Sequence, residues 1–305
     1  MAILKYEEMT WTDFHNLDKN KSFVLVPIAP LEEHGPHLPV GVDIFDSVYF
    51  CEKGAEIFTA NHPEYTAVIY PPLGIGSDCF RFPGTMDIEQ RAIYLLVKSM
   101  GKNLKRFGMK NVMFVGLHGG PRHISALEQA CRALNRWHGM NALAPFGRIL
   151  TQLYMNREFA GIAEGKPLTD EEWYRFERDI HAGYLETSLT LLHHENLVRP
   201  YYKKAKDYPI KLVEMRRHPF GRFTNWEGQI GYPSLASKEA GERIAGNMTK
   251  WFAEFIEKWI EKKENLKKYN RSLISKMLIF NVNFSRWAAF ISALAAGGLI
   301  YWIAR

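Results

Sequence analysis

Carboxylates and imidazoles crowd one twelve-residue segment, Glu32-Glu33-His34-Gly35-Pro36-His37-Leu38-Pro39-Val40-Gly41-Val42-Asp43. Carboxylate oxygen and neutral imidazole nitrogen together suit zinc or manganese, and iron as well. Glu32 and His34 are two apart, so in extended chain they point the same way. Gly35, Pro36, Pro39 and Gly41 turn the loop so that Asp43 can converge on them and bridge two ions. Gly116-Leu117-His118-Gly119-Gly120 adds a histidine whose flanking glycines permit close approach of metal or substrate. Asp179-Ile180-His181-Ala182-Gly183-Tyr184-Leu185-Glu186 adds another histidine and a glutamate. The candidate metal ligands are therefore Glu32, His34, Asp43, His118 and Glu186. They suffice for two divalent ions sharing one carboxylate, with positions left for water. Such a pair acidifies bound water, clamps a carbonyl oxygen and stabilises an oxyanion. His181 is left as a general acid/base for the leaving nitrogen, and Glu186 joins it in the catalytic set. These residues predict a metal-dependent hydrolase.

Strands must deliver these loops. Apolar runs recur at 23–30, 66–73, 111–117 and 142–146. Between them, 87–107 and 122–138 carry apolar residues at helical spacing, and 238–268 reads as one long helix. The stretch 150–230 shows no clear period. Strand–helix alternation predicts an α/β layer fold with a largely parallel sheet. Such sheets bind ligands beyond the carboxyl ends of their strands. Here the polar motifs do follow the apolar runs: Glu32 to Asp43 after the first, Gly74 to Thr85 after the second, His118 after the third.

The 305 residues are 47% hydrophobic and 13% aromatic, which excludes global disorder. The net charge of +6 lies largely in a late basic stretch, and no nucleic-acid-binding signature accompanies it. Cys51, Cys79 and Cys131 form no CxxC pair or disulfide framework, which fits a reducing compartment. The N-terminus has no apolar run of the signal-peptide kind.

In sequence, Glu32 to Pro39 with Asp43, Phe82-Pro83-Gly84-Thr85, His118-Gly119-Gly120, His181-Ala182-Gly183 with Glu186-Thr187-Ser188, and Gly228-Gln229-Ile230-Gly231-Tyr232-Pro233 with Ala236 resemble the ordered motifs of the creatininase (creatinine amidohydrolase) family. The resemblance runs over about residues 5–262. It implies a three-layer α/β/α sandwich with a mainly parallel sheet, assembled as a homo-oligomer. It also implies two divalent ions and hydrolysis of a small, non-peptide, often cyclic, amide. Carried over, Glu32, Asp43 and His118 would hold one ion, and His34, Asp43 and Glu186 the other. His181 would assist the scissile group. Gly116, Leu117 and Pro121 stand where the family commonly has asparagine, glycine and asparagine. Cys79 replaces a usual histidine, and Glu33 a glutamine. These departures point away from creatinine and leave open a cyclic ketone or lactone, or an inactive scaffold of the same fold. His37 is a further ligand candidate or a support for one. Cys79 is a nucleophile candidate or a filler, Trp173 and Tyr174 pocket walls or core, Arg81 and Arg122 anion binders or surface ion pairs.

Residues 287–304 are free of charge, and Trp287, Tyr301 and Trp302 sit at the ends. As a helix they would extend about 27 Å, enough for a hydrocarbon core. The organisation expected is a hydrolase domain at 1–262, a basic juxtamembrane linker at 263–286 and a C-terminal single-pass anchor at 287–304 of transmembrane type. The positive-inside rule puts the catalytic domain in the cytoplasm. A helix that packs in an oligomer is the alternative for the tail.

Overall fold

The computed structural model describes residues 3–156, 170–212, 214–215, 226–261, 266–284 and 287. Its strands are β1 (Ile3–Lys5), β2 (Ser22–Ala29), β3 (Thr66–Ile69), β4 (Leu73–Gly74), β5 (Asn111–Val115) and β6 (Asn141–Leu143). Its α-helices are α1 (Trp11–Asn16), α2 (Val42–Asn61), α3 (Gln90–Arg106), α4 (Pro121–His138), α5 (Phe146–Asn156), α6 (Asp170–Phe176), α7 (Tyr184–His193), α8 (Lys238–Ile260) and α9 (Leu273–Lys276).

The strand order is β1-β3-β2-β5-β6, every pair parallel, with β4 pairing the end of β2. β2 is buried along its whole length, the pattern of a central strand covered on both faces. Its side chains alternate. Phe23 and Leu25 enter a core shared with α2 and α8, through Phe58, Phe252 and Trp259. Val24, Val26 and Ile28 enter the opposite core, with Ile93 and Val97 of α3 and Leu127 and Leu134 of α4. This is the expected layered α/β arrangement. The expected strands and the helices at 87–107 and 122–138 are present; α3 starts at Gln90, α4 matches to within one residue, and the strands are shorter or displaced by one residue. The long helix expected at 238–268 stops at Ile260.

Two expectations change at the C-terminus. The segment expected as a linker is docked on the domain between 266 and 284. Asn270 is fully buried and bonds the backbone at Ala142 within β6 and at Ala144 just after it. Ser272 and Ser275 cap the buried Glu128 carboxylate of α4. The Phe280 carbonyl accepts from Gln90, Ser125 and Gln129, and Arg91 reaches Asn283. We call this segment the strap. It is held by polar caps rather than an apolar period, so its basic composition reads as solvated chain. The expected transmembrane-type helix gains no support. Residues 288–304 lie outside the described residues, and among the described residues no helix is long and apolar enough to cross a membrane.

Candidate metal centre

All five predicted ligands meet beyond the carboxyl ends of the strands. Glu32 and His34 lie in the loop after β2, Asp43 is the second residue of α2, His118 lies between β5 and α4, and Glu186 is in the first turn of α7. His118 Nδ1 is 3.1 Å from Glu32 Oε2 and 3.1 Å from Asp43 Oδ2. His34 Nε2 is 3.4 Å from Asp43 Oδ1 and 3.6 Å from Glu186 Oε2. Asp43 thus turns one oxygen to each histidine, the position of a shared carboxylate.

The tautomers agree with metal binding. His34 Nδ1–H donates to the Glu32 carbonyl at 3.0 Å, and His118 Nε2–H donates to the Ser77 carbonyl at 3.1 Å. Each bond fixes the ring and aims the other nitrogen at the carboxylates, as an outer partner does for a metal-bound imidazole. Glu32 Oε2, His34 Nε2 and Asp43 Oδ2 are buried without a hydrogen-bond partner. Buried polar atoms are ordinarily satisfied, and a cation between these would satisfy all three. The residues present therefore fit divalent ions.

The electrostatics show what stands in for that charge in the ion-free protein. Burial opposes an imidazolium at His34, but Asp43 and Glu186 outweigh it and raise its pKa to about 10. His118 is likewise held well above its usual value against burial, by Glu32 and Asp43. Burial lifts the Glu186 carboxyl to about 7, only partly countered by His34 and His181. Asp43 is held low, because His34 and His118 overcome its burial. A raised histidine pKa stabilises the fold below the histidine's ordinary value, and this is lost as pH rises toward the folded value. Ion-free protein is therefore expected to lose stability between about pH 7 and pH 10, and bound divalent ions should remove that loss by replacing the protons. Melts in chelator and in manganese across that range test this. Identical slopes would contradict it.

His181 sits beside the ligands. Its ring is 4.3 Å from that of His34, and Nε2–H donates to the Glu33 carbonyl at 2.7 Å. Proton transfer is left to Nδ1. Burial and His34 disfavour its charged form, yet Glu32, Glu33 and Glu186 carry its pKa upward. Candidate ligand atoms of His34, His181 and Glu186 lie within 4.8 Å of one another, so His181 can also reach an ion. Candidate ligand atoms of Glu32, Cys79 and His118 form a second such group, with Cys79 Sγ 4.0 Å from His118 Nε2. His37 is fully buried, its Nε2 3.0 Å from Thr187 Oγ1, and burial lowers its pKa to about 4. It is a neutral support for α7.

Three supporting groups carried no role in the sequence reading. The buried Asp179 carboxylate accepts from the backbone N–H groups of Tyr184 at 2.7 Å, Leu185 at 2.9 Å and Tyr232 at 3.0 Å. It ties the start of α7, and so Glu186, to the Ile230–Tyr232 segment, which pairs with His181. A Cβ at Gly183 or Gly231 would stand 1.9 Å or 2.1 Å from Asp179 Oδ1, which explains both glycines of these motifs. Gly231→Ala is expected to destabilise the fold by about 2 kcal/mol or more, because φ is also +148° there. A chemical melt with an unchanged midpoint would refute this. The Ser77 carbonyl and the Phe80 N–H, which donates to Glu32, are backbone groups and leave no trace in side-chain type. Thr85 of the Phe-Pro-Gly-Thr motif accepts from Glu33 N–H at 3.0 Å and so steadies the first loop.

The remaining candidates make these contacts. Arg81 pairs with Asp87, and Arg122 with Asp78. Trp173 is buried against Phe176, whereas Tyr174 is exposed beneath Arg178.

Carboxylates and imidazoles aimed at shared points beyond a parallel sheet define a metal-hydrolase type of α/β protein. The model of the creatininase (creatinine amidohydrolase) family matches residues 7–256, and the chain belongs to this family, whose members are metal-dependent amidohydrolases. The chain is 28% identical over 240 residues to a mycofactocin precursor peptide peptidase of Mycolicibacterium smegmatis, covering 77% of this chain and 85% of that one. It is 24% identical over 254 residues to a creatinine amidohydrolase of Pseudomonas putida, covering 78% and 90%. A solved structure of a manganese creatininase superposes with a TM-score of 0.58 at 22% identity, covering 84% of this chain and 98% of that one.

Proposed function

We propose that this protein is a hydrolase of an amide C–N bond that depends on two divalent ions. Glu32, Asp43 and His118 would hold one ion and His34, Asp43 and Glu186 the other, with Asp43 shared. The observation that carries this reading is the set of buried, unpartnered atoms Glu32 Oε2, His34 Nε2 and Asp43 Oδ2. When bound, such ions supply Lewis acidity toward water and toward a carbonyl oxygen, and zinc or manganese suits this donor set. The residues do the rest. Glu186, beside His34 and His181, is placed to accept a proton from the attacking water. His181 Nδ1 delivers one to the departing nitrogen. The Glu33 carbonyl holds the opposite edge of that ring in place.

The peptidase relative favours a short or modified peptide amide over creatinine, and the departures at Gly116, Leu117 and Pro121 point the same way. A metal-supplemented screen over creatinine, small amides, formamides and short peptides, with product analysis, decides the substrate. Purified protein that retains no divalent ion under supplementation would end the proposal. His181→Ala is expected to lower kcat by about 10²–10⁴-fold while metal content stays unchanged. Loss of metal together with activity would instead make His181 a ligand.

The reading extends to a homo-oligomer, tested by light scattering, and to membrane attachment through residues 287–304, which rests on their apolar sequence. Release of the full-length chain by carbonate extraction would remove the attachment.

A further inference from the structure

Two buried polar residues, Asp46 and Ser47, lie one turn beyond Asp43 on α2 and take no part in the chemistry described above. A carboxylate and a hydroxyl inside a core cost free energy unless each is bound. Both are bound, and each by a different segment that carries a candidate ligand.

Asp46 turns to α7. His193 Nε2–H donates to Asp46 Oδ1 at 2.6 Å, and both side chains are buried. His194 Nδ1 lies 2.6 Å from His193 Nδ1, and the His194 ring stacks on Phe45 at 4.2 Å. The end of α7 is thus held on two neighbouring residues of α2. Glu186 stands about two turns earlier on the same helix, whose start Asp179 already caps. Helix α7 is therefore fixed at both ends, with Glu186 Oε2 3.6 Å from His34 Nε2.

Ser47 turns to the segment between β5 and α4. Its hydroxyl donates to the Asp43 carbonyl at 2.7 Å and accepts from the Leu117 N–H at 3.0 Å. Leu117 precedes His118, whose Nδ1 is 3.1 Å from Asp43 Oδ2. One hydroxyl so ties the backbone of Asp43 to the backbone beside His118.

We propose, on the two-ion reading above, that Asp46 with His193 and, separately, Ser47 are positioning residues. The Asp46–His193 pair sets Glu186 against Asp43 for the ion on the His34 side. Ser47 sets His118 against Asp43 for the ion on the Glu32 side. Metal pockets tolerate ligand displacements of only a few tenths of an ångström, so each tie governs its own ion.

The test is calorimetric titration of the ion-free, full-length protein with manganese, in the wild-type chain and in Glu186→Ala, which keeps the Glu32 side alone. His193→Phe should weaken one of the two wild-type ions by about 10–100-fold, the range for loss of an outer support, and leave the ion of Glu186→Ala unchanged. Ser47→Ala should weaken that remaining ion by about the same factor. His193→Gln, whose amide keeps a donor at similar reach, should recover most of the wild-type affinity. In the ion-free protein the Leu117 amide should exchange faster in Ser47→Ala and not in His193→Phe. A general loosening of the fold would weaken both ions together. Equal effects of His193→Phe and Ser47→Ala on the Glu186→Ala ion would therefore overturn the proposal. So would a wild type that binds two ions beside variants with unchanged affinities, or His193→Gln binding no better than His193→Phe. Wild-type protein that binds no manganese would overturn the two-ion reading, and the positioning roles with it.

Discussion

Asp43→Ala is expected to empty both ion positions at once and to lower turnover by on the order of 10³-fold or more, several kcal/mol of transition-state stabilisation. The geometry gives the reason. Asp43 Oδ1 faces His34 and Asp43 Oδ2 faces His118, so one side chain serves both pockets. Glu186→Ala touches only the His34 side and is expected to leave about half of the bound metal. Asp43 is buried at the start of α2, and its removal also takes away part of the charge that favours protonated His34 and His118, leaving Glu32 and Glu186. The ion-free fold should survive, because the variant removes a buried charge and Glu32 and Glu186 still face the two imidazoles. Metal analysis and near-ultraviolet circular dichroism on the two variants separate the cases. Equal metal loss in both, or full retention in Asp43→Ala, would refute the shared-carboxylate arrangement.

Ending the chain after residue 261 is expected to cost about 10 °C or more in Tm, whereas ending it after residue 287 should change Tm little. The first truncation removes the strap. Glu128 would lose the Ser272 and Ser275 donors while remaining inside the domain, and the backbone at Ala142 and Ala144 would lose the Asn270 amide. Stranding a buried carboxylate and these neighbours costs roughly 3–5 kcal/mol, and each kcal/mol moves Tm by about 2–4 °C at this domain size. Glu128 has a raised pKa, from burial opposed by the serine bonds, so loss of those bonds should raise it further. The shorter chain should therefore lose most stability at high pH. Differential scanning calorimetry of the two truncations is the measurement. Equal Tm values would restore the linker reading.

The contrast between these predictions shows where the sequence was readable. The candidate ligands were legible because ligand chemistry demands particular side chains, and because turn residues and apolar runs mark where a strand ends. Glu32, His34, Asp43 and His118 carry that signature, whereas Glu186 was found through the motif around His181. The central sheet was legible for the same reason, since β2 is an unbroken apolar run. The strap was not, because its order comes from single polar side chains capping distant backbone groups. Asn270 and Ser272 look like solvated residues until Ala142 and Glu128 are placed beside them. Helix α7 escaped for a related reason. Its buried face holds Thr187, Ser188 and Thr190, and it packs closely on α8 at Gly241, where a Cβ would meet the Ser188 carbonyl at 2.1 Å. Small polar residues in a tight helix contact do not give an apolar period. Asp179 was visible only as part of a motif, since its partners are backbone N–H groups.

The parallel sheet also sets an order of events during synthesis. Glu32, His34, Asp43 and His118 leave the ribosome well before Glu186, and α8, which covers one face of the sheet, emerges last of the long helices among the described residues. Parallel pairing of distant segments is intrinsically slow. A nascent chain thus carries four of the five candidate ligands, uncovered, while Glu186 is still untranslated. Free divalent metal in the cell would meet an incomplete set of candidate ligands before the folded domain exists.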